Sequence, residues 1–302
     1  MRGRPIDILE FPIHLGLRKK DGDTEPGVRH LPDWLRSFGL HEGLRATTTA
    51  ELLPPEYTMT EDGNPPMLHV PEIAQYAVEQ AELLGQQLDH QPEHFALLLG
   101  GDCSILIGTM LALKQRGTYG LFLIDGHTDY IPPSLSTTGG VAGMDLAIVA
   151  GMGDERLTNL NGQQPYVQQP HICCVGNREY DEHYVRPVLD SDIHYVDLPS
   201  VRREGMASVA QTFLEVVESQ QLDGFWIHLD VDVLHHDLMP AVDSPAPEGL
   251  FYEELTALLK PLLDSDKAIG MELTILDPSL DVSGSYTRPF VKWLVDVLGE
   301  SA

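Results

Sequence analysis

The fold is decided by one stretch of the chain, Leu121-Phe122-Leu123-Ile124-Asp125-Gly126-His127-Thr128-Asp129. Its four apolar residues form a run of the length that a fully buried strand needs, and the run ends in Asp-x-His-x-Asp. In an extended chain, residues two apart point to the same side. The side chains of Asp125, His127 and Asp129 are therefore predicted to project together beyond the end of this strand.

A second stretch repeats this arrangement later in the chain. Residues 225–232 read Phe-Trp-Ile-His-Leu-Asp-Val-Asp, so Asp230 and Asp232 also follow an apolar run. Carboxylates gathered at one edge would raise each other's pKa, or would need cations between them. The chain has 19 Lys and Arg residues, and neither stretch contains one. Divalent metal is therefore the predicted cation.

Strands and helices are predicted to alternate along the chain. The spacing of apolar residues at 71–89 predicts an amphipathic helix, and residues 28–38 a short one. Residues 16–27 are predicted to form a loop, and residues 50–66 to be irregular. Apolar runs predict strands at residues 6–13, 94–99, 119–124, 171–175, 193–198, 224–229 and 268–273. Such alternation predicts a single α/β domain over residues 1–302, with a mainly parallel sheet covered on both faces.

Polar residues follow four of these predicted strands. Asp102 and Cys103, the Asp125 motif, the Asp230 motif and Glu272 each come directly after an apolar run. In parallel α/β sheets the functional groups lie beyond the carboxyl ends of the strands. The four strand ends are therefore predicted to form one site.

Composition excludes several classes of function. The net charge of −27 at pH 7 argues against nucleic-acid binding, because nucleic-acid phosphates would be repelled. No apolar run reaches the length that crosses a membrane, and no signal-peptide pattern is expected at the N-terminus. The chain has 3 Cys residues, too few for a disulfide framework, which predicts a reducing cytoplasm.

Four blocks of the sequence resemble the signature motifs of the ureohydrolases, the family of arginase, agmatinase and formimidoylglutamase. The blocks are Gly-Gly-Asp-Cys-Ser (100–104), Asp-Gly-His-Thr-Asp (125–129), His-Leu-Asp-Val-Asp-Val-Leu (228–234) and Met-Glu-Leu (271–273). The resemblance implies a three-layer α/β/α domain with two divalent metal ions, most often manganese. It also implies hydrolysis of a guanidino, amidino or formimino C–N bond by metal-bound hydroxide. Homo-trimers or hexamers acting on a small-molecule substrate are expected.

The same resemblance assigns roles to individual residues. Asp129 would orient the hydroxide and move a proton, while Glu272 would pair with the guanidinium of the substrate. Asp181 and Thr138 fall near positions that contact the rest of the substrate. The implied metal ligands are Cys103, Asp125, His127, Asp129, Asp230 and Asp232.

Two residues depart from the family pattern at the metal centre. Cys103 stands where the family has a histidine ligand, and its sulfur would shift preference towards Zn²⁺, Fe²⁺ or Ni²⁺. Alternatively, Cys103 is a small buried residue and the first metal site is weak or empty. Ala142 replaces a histidine that carries protons in arginases. We expect at most one of His228, His235 and His236 to face the site in its place.

A third departure concerns the substrate. Ile131 replaces a polar residue that helps bind the α-carboxylate of arginine, and Thr138 offers only a modest replacement. An unpaired carboxylate is costly, so a substrate other than arginine is predicted. The alternatives are a non-catalytic relative that keeps the fold for binding and a single-metal, deacetylase-like hydrolase.

Other polar residues are predicted to have ordinary structural roles. Asp102 is predicted to cap or brace the helix that follows it. His14, in a loop near the start of the chain, and His69 are predicted to lie at the surface or in loops.

Overall fold

The computed structural model describes residues 3–19 and 25–299. The predicted loop at 16–27 and the ends of the predicted domain at 1–302 lie partly outside these ranges. The strands are β1 (Ile6–Phe11), β2 (Thr48–Glu51), β3 (Glu61–Asp62), β4 (Met67–Leu68), β5 (Phe95–Gly100), β6 (Tyr119–Ile124), β7 (Ile172–Val175), β8 (His194–Val196), β9 (Gly224–Asp230) and β10 (Ala268–Thr274).

The helices connect these strands. They are α1 (Leu31–Ser37), α2 (Leu40–Leu44), α3 (Val70–His90), α4 (Ile105–Lys114), α5 (Asp145–Val149), α6 (Glu155–Thr158), α7 (Glu182–Leu189), α8 (Leu198–Glu204), α9 (Met206–Ser219), α10 (Tyr252–Asp264) and α11 (Thr287–Gly299). Within the described ranges, none of them is both long and apolar enough to cross a lipid bilayer.

Eight strands form one parallel sheet in the order β2-β1-β5-β10-β9-β6-β7-β8. Every residue of β5 and of β9 is buried, which explains why these strands read as almost continuous apolar runs. Successive residues point to opposite faces, so Leu97 and Leu98 belong to different halves of the core. The predicted mainly parallel sheet is confirmed.

Helices cover both faces of this sheet. Helices α1, α2 and α8–α11 pack on one face, and α3–α7 pack on the other. On the first face, Phe213 of α9 makes edge-on ring contacts with Phe122 and Phe225, at centroid distances of 5.1 and 5.3 Å. Such ring pairs add about 0.5–1.5 kcal/mol each to the burial of apolar surface. The arrangement is the three-layer α/β/α architecture that the sequence predicted.

The edge strand β2 was not foreseen from the sequence. Its residues Thr48–Glu51 are exposed or half-buried, and they overlap the start of a segment that was predicted to be irregular. Strand β2 lies at the edge of the described sheet and pairs only with β1, so its side chains are not enclosed and need not be apolar. Hydrophobic patterning detects strands by burial and therefore misses an exposed edge strand.

The loop after β1 crosses the carboxyl end of β5 very closely. A Cβ atom at Gly101 would lie 1.8 Å from the backbone oxygen of Ile13, so only glycine allows this crossing. The Asp102 amide donates to the same oxygen at 2.9 Å. The buried Asp102 carboxylate accepts from the amides of Gly16 (2.7 Å) and Ser104 (2.8 Å). Asp102 therefore braces the loop and the start of α4.

Candidate active site

The ends of β6 and β9 are built in the same way. The Asp125 carboxylate accepts from the His127 amide at 2.7 Å, and the Asp230 carboxylate accepts from the Asp232 amide at 2.7 Å. The two ends are also joined to each other. One Asp232 oxygen accepts from the Gly126 amide at 3.0 Å, and the other lies 2.8 Å from His127 Nδ1. The two motifs therefore converge at one edge of the sheet.

Three of these side chains fit a metal ion. Asp125, His127 and Asp232 each offer a ligand atom, and these atoms lie within 4.8 Å of one another. Asp125 Oδ2 is buried and has no hydrogen-bond partner among the described residues. Leaving such an oxygen unsatisfied costs about 1–3 kcal/mol or more for a charged group, and a cation removes this cost. Carboxylate and imidazole donors suit manganese-like ions.

The charges at this edge are strongly perturbed. Burial, followed by Asp129 and Asp232, raises the pKa of Asp125 well above its ordinary value. Burial also raises the pKa of Asp129 to about 6. For His127, burial opposes the charged form, but the nearby Asp232 outweighs it and raises the pKa to about 10. The edge thus holds more negative charge than its single histidine neutralises, which is the condition that a bound cation relieves.

Asp129 is held in an uncommon backbone conformation. Its φ of 44° lies in the left-handed region, which non-glycine residues adopt at some cost and often at functional sites. The Tyr184 hydroxyl accepts from the amides of Thr128 (2.8 Å) and Asp129 (3.3 Å) and so fixes this turn. Tyr184 comes from α7, far away in sequence, and nothing in its local pattern indicated this contact.

A cavity of about 660 Å³ opens above this edge. Ile131 and Ala142 line it together with two polar groups of residues. We call the first group the floor, which consists of Cys103, His127, Asp129, Asp230 and Asp232. We call the second group the rim, which consists of Arg18, Lys19, Thr138, Asp181 and His183. Sequence reasoning indicated the whole floor but missed Arg18, Lys19 and His183.

Two of the three residues predicted to bind substrate, Thr138 and Asp181, lie in the rim. The Thr138 backbone oxygen accepts from Arg18 Nε at 2.5 Å. The Asp181 carboxylate caps α7 by accepting from the amides of His183 (3.0 Å) and Tyr184 (3.3 Å). Their contact with substrate stays a prediction.

Glu272 lies outside the lining of the cavity. It is fully buried, with one carboxylate oxygen 2.6 Å from His228 Nδ1 and the other accepting from Thr109 Oγ1 at 2.6 Å. Its predicted pairing with a guanidinium stays a prediction. The contacts that the structure gives it are with His228 and Thr109.

None of the three histidines considered as replacements for the missing proton-carrying histidine lines the cavity. His228 is fully buried, and neither His235 nor His236 belongs to the lining of the cavity. His183, at the start of α7, does line it. His183 is distant in sequence from the aspartate motifs, so the residues around those motifs give no indication that it lies in the cavity.

Two of the histidines predicted to lie at the surface or in loops are buried, although both lie in loops. His14 is 1% exposed and His69 is fully buried. Both rings contact Tyr57, with centroid distances of 5.3 Å for His14 and 4.8 Å for His69. His69 Nδ1 also lies 2.9 Å from the backbone oxygen of Leu15. These contacts anchor the loop that carries Arg18. The two histidines lie in loops, as one part of the prediction had it, but not at the surface.

The fold and the acidic cavity define a three-layer α/β/α protein with its site at the carboxyl edge of a parallel sheet. A model of the arginase family matches residues 7–298, and the chain therefore belongs to that family. The arginase of Bacillus caldovelox is 26% identical over 299 residues, covering 98% of this chain and 99% of the relative. An arginase of Staphylococcus aureus is 29% identical over 302 residues, covering 98% and 97%.

Solved structures agree with the sequence matches. The crystal structure of arginase from Bacillus caldovelox superposes with a TM-score of 0.86 at 26% identity, covering 98% of this chain and 99% of that one. Formimidoylglutamase from Bacillus subtilis superposes with a TM-score of 0.74 at 19% identity, a likeness that concerns the fold alone.

The prediction of a substrate other than arginine was wrong. Relatives named arginase match nearly the whole chain, at 26% and 29% identity in the two cases above. The prediction considered only Ile131 and its sequence neighbours. The structure brings Arg18 and Lys19 to the same cavity from the loop after β1. Positive charge for a carboxylate is therefore available from a part of the chain that the prediction had not placed there.

Proposed function

We propose that this protein is a metal-dependent hydrolase that cleaves arginine into ornithine and urea. The observation that carries the proposal is the charge layout of one cavity, with carboxylates in the floor and Arg18 and Lys19 in the rim. Arginine carries a guanidinium at one end and a carboxylate at the other. Such a molecule complements a cavity whose bottom is lined by carboxylates and whose mouth offers Arg18 and Lys19 alongside acidic groups such as Asp181.

Binding would orient the substrate along the cavity. The guanidinium would lie towards the floor, where buried carboxylates favour a planar cation. The α-carboxylate would lie towards Arg18, and the α-amino group towards Asp181. Ile131 and Ala142 give the wall between them an apolar surface that suits the methylene chain.

Two divalent ions would be held by Asp125, His127, Asp129, Asp230 and Asp232, with manganese expected from the family. When bound, such ions lower the pKa of water and polarise the guanidinium carbon. Asp129 borders the cavity, so its carboxylate can accept a proton from water there and hand it on. It would pass that proton to the departing amine, and Tyr184 would hold its backbone in place.

The proposal extends to the state of the protein in the cell. We expect a cytoplasmic homo-oligomer, a trimer or hexamer, on the basis of the family and the cysteine content. Sedimentation velocity on the purified protein would test the assembly, and a monomer at micromolar concentration would contradict it.

Urea release is the direct test. Purified protein loaded with Mn²⁺ is offered arginine, agmatine (which lacks the carboxylate) and 5-guanidinopentanoate (which lacks the amine). We expect urea from arginine, less from the other two, and none from any of them after chelation. Metal-loaded, folded protein that releases no urea from arginine would refute the proposal.

A further inference from the structure

Three buried side chains of different chemistry lie side by side beneath the cavity. Cys103 follows β5, His228 lies in β9, and Asp145 begins α5. One possible ligand atom from each lies within 4.8 Å of the other two. All three side chains are almost completely buried, with exposures of 0 or 1%. A thiol, an imidazole and a carboxylate together form a donor set typical of zinc.

Two atoms of this cluster are buried without a partner. His228 Nε2 and Asp145 Oδ2 have no hydrogen-bond partner within the part of the chain that the structure describes. Leaving such a buried atom unsatisfied destabilises the folded protein. Two unsatisfied acceptors beside a buried sulfur are explained together by a cation that contacts both.

The other nitrogen of His228 is already fixed. His228 Nδ1 lies 2.6 Å from a carboxylate oxygen of Glu272, and the other oxygen of Glu272 accepts a hydrogen bond from Thr109. A metal-binding histidine usually gives its second ring nitrogen to a carboxylate, which orients the ring and strengthens the ligand. Glu272 supplies that carboxylate and leaves Nε2 as the ligand atom. Glu272 would then be a positioning residue.

We propose that Cys103, Asp145 and His228 bind a zinc-type divalent ion. The imidazole from β9 would take over from the histidine that ureohydrolases have at the position of Cys103. On binding, the Cys103 thiol would lose its proton to solvent and ligate as a thiolate. Cys103 belongs to the floor, and its Sγ lies 3.0 Å from Asp230 Oδ2, so this site borders the floor carboxylates. The inference rests on the proposal that the protein binds divalent metal, and not on the identity of the substrate.

A cysteine nucleophile with His228 as its base is the competing interpretation. The Cys103 thiol donates to Asp230, however, and its other contact is Thr274 Oγ1 at 3.1 Å. No hydrogen bond joins it to His228 in the described residues. Since a nucleophile and its base lie within hydrogen-bond reach in such sites, the geometry favours metal binding.

Cobalt substitution tests the site without any enzyme assay. Apoprotein is titrated with Co²⁺ and followed by absorption spectroscopy. We expect a near-ultraviolet thiolate-to-cobalt band that saturates with the metal, and Zn²⁺ should abolish it by displacement. Cobalt binding without this band would overturn the inference and leave the proposed hydrolase standing. A protein that binds neither cobalt nor manganese would overturn both the zinc-type site and the proposed hydrolase.

Variants assign the band to this cluster. Cys103→Ser should remove it, whereas Cys173→Ser, at a fully buried cysteine in β7, should keep it. His228→Gln should weaken zinc affinity by at least about 100-fold, as expected for loss of a ligand. Circular dichroism checks that each variant is folded. Should His228→Gln misfold, Asp145→Asn decides: this variant keeps the side-chain shape but loses its charge, and zinc affinity equal to that of wild type would refute the site.

Discussion

The floor and the rim of the cavity are built by different means. The floor comes from the ends of parallel strands, where side chains two residues apart point the same way. The spacing of residues within a motif therefore predicts which side chains lie together. The rim comes from the loop after β1, the loop after β6 and the start of α7. These three segments are brought together only by tertiary packing. The chemistry of a site can therefore be apparent from sequence while its substrate preference is hidden.

Loss of a floor carboxylate is expected to have the largest effect. Asp230 is 3% exposed and faces both Cys103 and the Asp232 amide. Asp230→Asn keeps its shape but removes its charge, which should lower metal content and reduce urea release by about 10³-fold, since bound metal supplies several kcal/mol to catalysis. Asp237→Asn is the matched control, because Asp237 has 85% side-chain exposure nearby. Equal metal content in the two variants would argue against the floor as the metal site.

A change beneath the floor should have a smaller effect. Glu272→Gln keeps a hydrogen bond to His228 but removes the negative charge that strengthens it. We expect metal affinity to fall by about 10- to 100-fold, the usual result for a carboxylate that orients a ligating histidine. The Michaelis constant at saturating metal should stay unchanged. A raised Michaelis constant with normal metal affinity would favour direct contact between Glu272 and the guanidinium. The exposed Glu218→Gln in α9 is the control.

The sequence revealed the fold and the floor because both depend on local pattern. Buried strands such as β6 and β9 must be apolar, and the aspartates at their ends share a face wherever they occur. Strand β2 could not be predicted in this way, since an exposed edge needs no apolar residues. The position of Arg18 in the cavity could not be predicted either. Its partners Thr138 and Glu61 are distant in sequence, and the residues next to Arg18 give no indication of these contacts.

Arg18 tests the rim, where a more modest effect is expected. Its side chain is 34% exposed and its guanidinium is paired with Glu61, so its attraction for a carboxylate is partly screened. Arg18→Ala should raise the Michaelis constant for arginine about fivefold, from ~1 kcal/mol of lost binding, with little change in turnover. Agmatine, which has no carboxylate, should be unaffected. Arg186→Ala, at an exposed position of α7, is the control. Equal effects on both substrates would mean that Arg18 supports the fold instead.

The smallest expected effect on activity at neutral pH concerns the loop that carries Arg18, where the change is in stability at acid pH. Burial lowers the pKa of His14 to about 4, despite a 3.1 Å contact between its Nε2 and Glu25. An unfolded histidine titrates near 6.5, so between pH 6.5 and 4 the unfolded chain binds more protons than the native one. This histidine therefore contributes stability that is full above pH 6.5 and is lost as the pH falls towards 4.

Replacing His14 with glutamine should remove that pH-dependent contribution. The difference in free energy of unfolding between wild type and His14→Gln should be constant above pH 6.5 and should shrink as the pH falls towards 4. Urea denaturation at several pH values measures it, and the other acidic groups cancel because they are common to both proteins. Parallel curves across this range would show that His14 titrates normally and that burial of the rim loop does not depend on a neutral ring. A converging pair would show that acid destabilises the loop that carries Arg18 by protonating His14.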